Sequence, residues 1–159
     1  GEDPEKATDF VQKLSRVFRY ALQNQEKNTI DLGSEIEIVN AYLFLQKMRF
    51  GQNLQFHVDV PASLNGSQVI TQGLLTLVEN AIKHNVVSRS RPLHIDIHAN
   101  GNDTLIIKNN LQPRQAVEPS TRIGLQNIRK RYELISGRDV VVKKTERDFE
   151  VTIPLLQLN

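Results

Sequence analysis

LVENAIKHN, residues 77–85, has the pattern of a half-buried helix yet carries many charged and hydrogen-bonding groups along one side. Residues four apart share one face of an α-helix, so Glu79 lies beside Lys83 and Asn80 beside His84. A mid-helix Asn is a poor helix former, whereas its carbonyl oxygen is a suitable ligand for Mg²⁺. The segment therefore predicts either an ordinary amphipathic helix with a Glu–Lys pair or one wall of a metal–phosphate site.

The bulk composition excludes several classes of protein. The chain has 159 residues, a net charge of +2 and no cysteine, so it has room for about one domain and holds neither disulfides nor thiolate metal sites. It is only mildly basic and has no run of Lys and Arg, so we expect no nucleic-acid partner. No apolar run approaches about 20 residues, so we expect a soluble, intracellular chain without a membrane span.

Outward from the opening stretch, the periodicity alternates between helical and extended patterns. Ser34 and Glu37 form a capping box for one helix, which Gly51 ends, and Ser67 is positioned to cap another. Helices are predicted at 4–27, from the capping box to 50, at 68–84 and from 123 to 136. Strands are predicted at 54–60, 93–99, 104–109, 139–145 and 148–156. The pattern predicts an α+β fold with an antiparallel or mixed sheet of about five strands and helices on one face.

Five segments carry a family resemblance. LVENAIKH resembles the N box of sensor histidine kinases, within the GHKL ATPase superfamily. The segments LSRVFRYAL (14–22), EIEIVNAYLFLQKMRFG (35–51), IGLQNIRKRYELISG (123–137) and VTIPL (151–155) resemble the LytS-type branch. The resemblance implies a two-layer α/β sandwich of the Bergerat type. It also implies that residues 1–30 hold the C-terminal helix of a dimerisation and phosphoacceptor region and that residues 31–159 form the catalytic ATP-binding domain.

The resemblance implies roles for the polar residues of the opening stretch. Asn80 matches the asparagine that binds Mg²⁺ bridging the phosphates of ATP. Glu79 matches the catalytic acidic residue that polarises the reaction. Lys83 and His84 match positions near the phosphates, and Asn85 lies at their edge. Phosphoryl transfer depends on positioning and charge neutralisation, which such residues supply.

The adenine-binding position departs from the family pattern. The family has Asp-x-Gly after a strand, where this chain has Asn109, Asn110 and Leu111. An Asn carbonyl still accepts from the adenine amino group, but a neutral hydrogen bond contributes about 0.5–1.5 kcal/mol against about 1.5–3 for a charged one. We therefore expect ATP binding weakened roughly tenfold. Taken alone, the Asn pair is also a simple strand-ending turn.

The lid is expected at residues 110–122, and its end departs from the family again. The usual Gly-x-Gly-Leu is replaced by Arg122, Ile123, Gly124 and Leu125. Gly124 lets a phosphate approach the start of the next helix, where free N–H groups favour anions. Arg122 either clamps a phosphate or stiffens the lid. A glycine that simply starts a helix is the alternative.

Three further residues are matched to nucleotide-binding positions. Asn127 and Arg131 correspond to polar positions on the helix after the lid, with solvated surface as the alternative. Thr152 corresponds to the floor of the adenine pocket, although Thr is also simply a good strand former.

None of the four histidines has the context of a phosphoacceptor. His84 belongs to the N box, and His57, His94 and His98 alternate on the polar side of strands. We therefore expect an ATP-dependent histidine kinase fragment that cannot autophosphorylate by itself. Its expected partners are its own phosphoacceptor helix, a second protomer and the receiver domain of a response regulator.

The resemblance also bears on location and on alternatives. It implies the cytoplasmic domain of a bacterial sensor that reaches the membrane only through parts outside this chain. The alternative function is a degenerate, weakly nucleotide-binding module that acts as a dimerisation or signal-coupling scaffold. Another GHKL ATPase, of the topoisomerase or chaperone type, fits the helical segments less well.

Overall fold

The computed structural model describes residues 4–23, 27–114 and 120–157, and within these ranges it forms four α-helices, two short 3₁₀-helices and seven strands. In chain order the elements are α1 (Pro4–Gln23), β1 (Thr29–Asp31), α2 (Leu32–Phe50), β2 (Leu54–Asp59), β3 (Gln68–Ile70), α3 (Gly73–His84), β4 (Leu93–Asn100), β5 (Thr104–Asn110), α4 (Ser120–Ser136), β6 (Val141–Lys144) and β7 (Asp148–Pro154). No helix among these residues is long and apolar enough to cross a bilayer.

The main sheet has five strands in the order β2-β4-β5-β7-β6. Strands β2 and β4 run parallel and the other neighbours run antiparallel, so the sheet is mixed. Along β4, Leu93, Ile95 and Ile97 are buried, while the residues between them are more exposed. This alternation gives the sheet one apolar face, on which the helices pack. The predicted α+β fold with a mixed five-stranded sheet and an N-terminal helix is confirmed.

A second, two-stranded sheet was not predicted. Strands β1 and β3 pair antiparallel, with Ile30 opposite Val69. Residues 68–70 therefore do not begin a helix, and the prediction that Ser67 caps one is wrong. The Ser67 carbonyl instead accepts a hydrogen bond from the Leu32 amide, at 2.7 Å. Helix α3 begins only at Gly73, after this short strand has ended.

The ends of the helices differ from the sequence predictions in specific ways. Asp31 caps α2 because its carboxylate accepts from the Ser34 amide at 3.0 Å, so the capping box that begins at Ser34 is wrong. Gly51 ends α2 with a φ of 57°, as predicted. Helix α1 is described as far as Gln23, residues 24–26 lie outside the described residues and Lys27 is not helical, and α4 is already helical at Ser120 rather than from Ile123.

The core lies between the helices and the apolar face of the sheet. Its largest side chain with no exposed surface is Tyr132 of α4, whose hydroxyl accepts from the Ile70 amide at 3.3 Å. Leu74 and Val78 of α3 are fully buried against the same core. Burying each such aliphatic side chain stabilises the fold by about 1.5–3 kcal/mol. This packing fixes the rotation of α3 and therefore the direction of its polar residues.

Candidate functional site

A cavity of about 260 Å³ lies between α3, α4 and the end of β5. It brings together five of the residues that the sequence singled out as nucleotide-binding: Asn80, His84, Asn85, Asn109 and Leu125. Residues from three separate segments thus converge, as expected for a ligand-binding site.

Asn80 and Gly124 lie close together at one wall of this cavity. A Cβ atom at position 124 would lie 3.6 Å from Nδ2 of Asn80 and 3.7 Å from Cγ2 of Thr76. The absence of a side chain at Gly124 therefore keeps open the space beside the Asn80 amide. The same space is available to a small ligand group that approaches α3 from α4.

Asn109 lines the same cavity from β5. It is 3% exposed, it occupies the helix-facing side of β5, and its Nδ2 donates to the Asn110 carbonyl at 2.9 Å. Asn110 is held in turn, because its Oδ1 accepts from the His94 amide at 2.7 Å. A fixed amide group in a largely apolar pocket is suited to read one hydrogen-bonding edge of a planar ligand.

Asn85 has a different environment from the one expected at the edge of the phosphates. Its Nδ2 donates to the Ala81 carbonyl at 2.8 Å, and its Oδ1 accepts from the Gln112 amide at 2.7 Å. The Arg114 amide also donates to the His84 carbonyl, at 3.0 Å. Asn85 thus ties the end of α3 to the segment after β5.

These contacts change the boundaries of the expected lid. Asn110 belongs to β5, the Leu111 amide donates to the Arg147 carbonyl, residues 112–114 are tied to the end of α3, and α4 extends from Ser120. The predicted bounds of the lid, 110–122, are therefore wrong at both ends, since Asn110 is in a strand and residues 120–122 are in a helix. The middle of the lid, residues 115–119, lies outside the described residues.

Glu79 and Lys83 do not line the cavity that contains Asn80. They line a second cavity of about 400 Å³ between α2 and α3, together with Tyr42, Arg49 and Arg114. Although Glu79 reaches solvent, partial burial raises the pKa of its carboxyl group, and the Lys83 ammonium opposes that rise. Burial raises the pKa of Tyr42 to about 12, and the nearby Glu79 adds to the effect. Glu79 and Asn80 are adjacent in sequence but open onto different cavities.

Three other predicted site residues, Asn127, Arg131 and Thr152, line neither cavity. Asn127 is exposed on α4, and Nη1 of Arg131 donates to the Thr71 carbonyl at 3.2 Å, which ties α4 to the chain before α3. Thr152 lies on the far face of the sheet, because its neighbours Val151 and Ile153 are buried against the helices. Thr152 is therefore not at the floor of the cavity. The side chain of Arg122 lies outside the described residues.

Two cavity residues escaped the sequence reasoning. Phe149 and Lys144 are paired across β7 and β6, and both line the cavity beside Asn109. Phe149 also lies opposite Asn109 in the register of β7 and β5. Strand alternation could have placed Phe149 on the apolar face, but only the order of the strands brings it next to Asn109.

Comparisons with known sequences agree on one family. The family model described as histidine kinase matches residues 1–54. The sensor protein LytS of Enterococcus faecalis is 31% identical over 153 residues, which cover 87% of this chain and 26% of that protein. The sensor histidine kinase BtsS of Escherichia coli K12 is 34% identical over 140 residues, which cover 86% of this chain and 25% of that protein. The chain thus spans about a quarter of the length of these curated relatives.

Comparisons with solved structures support the fold. The cytoplasmic segment of the histidine kinase QseC superposes with a TM-score of 0.54 at 18% identity, over 99% of this chain and 97% of that one. The Acinetobacter baumannii histidine kinase AdeS has a TM-score of 0.56 at 14% identity, over 94% of this chain and 77% of that one. The catalytic domain of the histidine kinase ThkA has a TM-score of 0.54 at 19% identity, over 81% of this chain and 97% of that one.

Proposed function

We propose that this chain, which belongs to the LytS-type sensor histidine kinases, binds ATP with Mg²⁺ and transfers the γ-phosphate to a histidine outside residues 1–159. Its fold, which is that of histidine kinase catalytic domains, supports the proposal. Residues 31–159 are the ATP-binding part in this proposal, and residues 1–30 carry a helix of the dimerisation and phosphoacceptor region. The phosphate then passes to the receiver domain of a response regulator. We further propose that the chain is the cytoplasmic part of a membrane-attached bacterial sensor.

The observation that carries the proposal is the space between Asn80 and Gly124. It is a gap the size of one methyl group beside Nδ2 of the Asn80 side-chain amide, and a half-turn of that amide would present its oxygen, which is of the kind that Mg²⁺ accepts. The described residues contain no cluster of three or more His, Asp or Glu side chains that could hold a metal. One protein ligand fits Mg²⁺, which keeps several waters and takes phosphate oxygens as its other ligands. When bound, the cation neutralises charge on the phosphates.

The remaining cavity residues supply binding and orientation. Asn109 accepts from the exocyclic amino group of adenine, and Phe149 offers a ring against which the base stacks. Lys144 brings a positive charge to the same cavity, where it attracts the triphosphate. Because Asn109 is neutral, this part of the site binds less tightly than a carboxylate would.

The second cavity supplies a separate approach for the phosphoacceptor. Glu79 lies there beside Arg49 and Arg114, one residue along α3 from Asn80. In the proposed reaction the acceptor histidine enters between α2 and α3, and the Glu79 carboxylate accepts a hydrogen bond from its ring. This contact fixes the tautomer and leaves the other ring nitrogen to attack the γ-phosphorus, so that the P–N bond forms as the bond to the bridging oxygen breaks, ADP leaves, and the Glu79 carboxylate takes the ring proton.

Isothermal titration with Mg·ATP tests the proposal directly. The wild-type chain should bind with a dissociation constant in the micromolar range, and Asn80→Ala should lose that binding. Asn40→Ala is a matched control, since Asn40 is exposed on α2 and lines neither of the two cavities. Binding by Asn80→Ala equal to that of the wild type would contradict the proposed metal ligand.

The second candidate function is a scaffold that no longer uses nucleotide. It is favoured by the neutral Asn109 and by the exposed apolar side chains Phe18 and Leu22 on α1, which suit docking to another helix. The same titration separates the two functions. Absence of heat at millimolar Mg·ATP from a folded wild-type chain would favour the scaffold.

A further inference from the structure

Glu35 is a fully buried carboxylic acid in the first turn of α2. Burial of a carboxyl group is costly unless hydrogen bonds compensate for the lost water. Glu35 lines neither of the two cavities, and although it begins the segment 35–51 that resembles the LytS-type branch, no catalytic role is matched to it. Its position between three helices therefore needs an explanation of its own.

The carboxylate of Glu35 substitutes for the missing N-cap of α3. Its Oε1 accepts from the Gln72 amide at 3.1 Å, and its Oε2 accepts from the Leu74 amide at 3.0 Å and the Leu75 amide at 3.5 Å. The first amides of a helix have no partner within the helix, and the Gln72 side chain makes no capping bond. A negative charge at this end also interacts favourably with the helix dipole.

The backbone at this junction is strained, and Glu35 holds it in place. Gln72 has a φ of 63°, and it is the only non-glycine residue with a positive φ in the described ranges. A non-glycine residue in the left-handed region is unfavourable, so surrounding contacts must maintain it. Glu35 binds the amide of Gln72 on one side, and Arg131 binds the carbonyl of the preceding Thr71.

Helix α1 reaches the same carboxylate through one hydroxyl group. The Tyr20 hydroxyl donates to Oε1 of Glu35 and accepts from the Gln72 amide at 3.3 Å. Tyr20 is 5% exposed, whereas Phe18 on the same helix is 62% exposed. Tyr20 is therefore the side chain by which α1 is connected to the start of α3.

We infer that Glu35 is a positioning residue that couples α1 to α3, because it binds the Tyr20 hydroxyl of one helix and the first-turn amides of the other. A displacement of α1 withdraws the hydroxyl and loosens the strained first turn of α3. Asn80 lies five residues beyond Leu75, which is less than two turns along the same helix. The consequence for Mg·ATP rests on the proposed function, whereas the coupling between the helices does not.

The charged state of Glu35 provides a readout for this coupling. Burial raises its pKa to about 7, and the amides of Gln72, Leu75 and Leu74 and the charge of Arg131 oppose that rise. The titratable and charged groups that face it are Tyr20 from α1 and Tyr132 and Arg131 from α4. Removing a donor to the carboxylate disfavours its charged form and raises the pKa further.

The experiment follows the amide signals of Leu74 and Leu75 by NMR between pH 5 and pH 9 in the nucleotide-free chain. The wild-type signals should titrate with a midpoint of about 7. In Tyr20→Phe, which keeps the ring, the midpoint should move to higher pH. In Glu35→Gln, this titration should disappear. Tyr42→Phe is the matched control, since Tyr42 lies in the cavity between α2 and α3 and should leave the midpoint unchanged.

Each outcome decides the inference. An unchanged midpoint in Tyr20→Phe would overturn the coupling, as would an effect of equal size in Tyr42→Phe. The mild Tyr20→Phe change keeps the test valid even where Glu35→Gln fails to fold. In a separate titration, Tyr20→Phe should weaken Mg·ATP binding by about fivefold, the value of one ordinary hydrogen bond. A wild-type chain that binds no nucleotide would refute the proposed function and leave the amide result to stand alone.

Discussion

Replacing Gly124 with alanine should make the fold more stable and nucleotide binding weaker. Gly124 is the fifth residue of α4, and glycine within a helix is about 0.8–1.0 kcal/mol less favourable than alanine. The new Cβ would lie 3.6 Å and 3.7 Å from its nearest neighbours, Nδ2 of Asn80 and Cγ2 of Thr76, which is ordinary van der Waals contact. The methyl group therefore fits without displacing the backbone.

The gain in stability should be visible as a modest rise in the melting temperature. For a chain of 159 residues, about 1 kcal/mol corresponds to a rise of about 2–4 °C. The same methyl group fills the space beside the Asn80 amide that the proposed Mg²⁺ and phosphates need. We expect the affinity for Mg·ATP to fall at least tenfold, which is about 1.4 kcal/mol.

Thermal unfolding and isothermal titration measure the two effects on the same preparation. Gln126→Ala serves as the control, because Gln126 is exposed on α4 and does not line the cavity. A Gly124→Ala chain that is more stable but binds Mg·ATP as well as the wild type would refute the placement of the phosphates. A chain that is less stable would show instead that the methyl group does not fit.

Three other predictions follow from the described contacts. The folded chain holds the Glu35 proton more tightly than the unfolded chain, because burial raises the pKa of Glu35 from 4.5 to about 7. The free energy of unfolding of the wild type, relative to that of Glu35→Gln, should therefore fall by about 3 kcal/mol between pH 4.5 and about pH 7 and stay level above. Urea unfolding measures this slope, and a reversed or absent slope would contradict the prediction. Asn109→Asp should strengthen binding of Mg·ATP by up to about tenfold, because a charged acceptor replaces a neutral one. It should also destabilise the free chain by about 1–3 kcal/mol, because a buried charge replaces an amide that donates to Asn110. Titration and thermal unfolding measure the two effects, and affinity and stability that rise together or fall together would contradict the prediction. Asn85→Ala should release residues 112–114 and destabilise the fold by about 2 kcal/mol, because two hydrogen bonds are lost. The Gln112 amide should then exchange faster with deuterium, and equal protection in the variant would count against this role.

The strands of the main sheet were the most predictable part of the fold. Residues 54–60 and 93–99 alternate strictly between apolar and polar side chains, and the strands span Leu54–Asp59 and Leu93–Asn100. Strands β1 and β3 escaped prediction because three residues are too few to show a period. Ser67 had the chemistry of a helix cap, but its carbonyl serves the Leu32 amide instead.

The candidate site was predictable in its members but not in its arrangement. Helical spacing correctly paired Glu79 with Lys83 and Asn80 with His84. It could not reveal that α2 covers one pair while α4 and the sheet enclose the other. Thr152 was predicted on the wrong face of the sheet, since strand alternation alone does not tell which face the helices will cover. Both choices depend on contacts between elements distant in sequence.

Asn80 and Glu79 lie on different sides of α3 and line different cavities, which has a consequence for the kinetics of the proposed reaction. The proposed nucleotide and the proposed acceptor reach neighbouring residues, Asn80 and Glu79, through separate entrances. Neither substrate then has to leave before the other arrives, and spent ADP can be exchanged while the acceptor stays engaged. Such an arrangement favours a random order of addition, in contrast to enzymes whose two substrates share one opening.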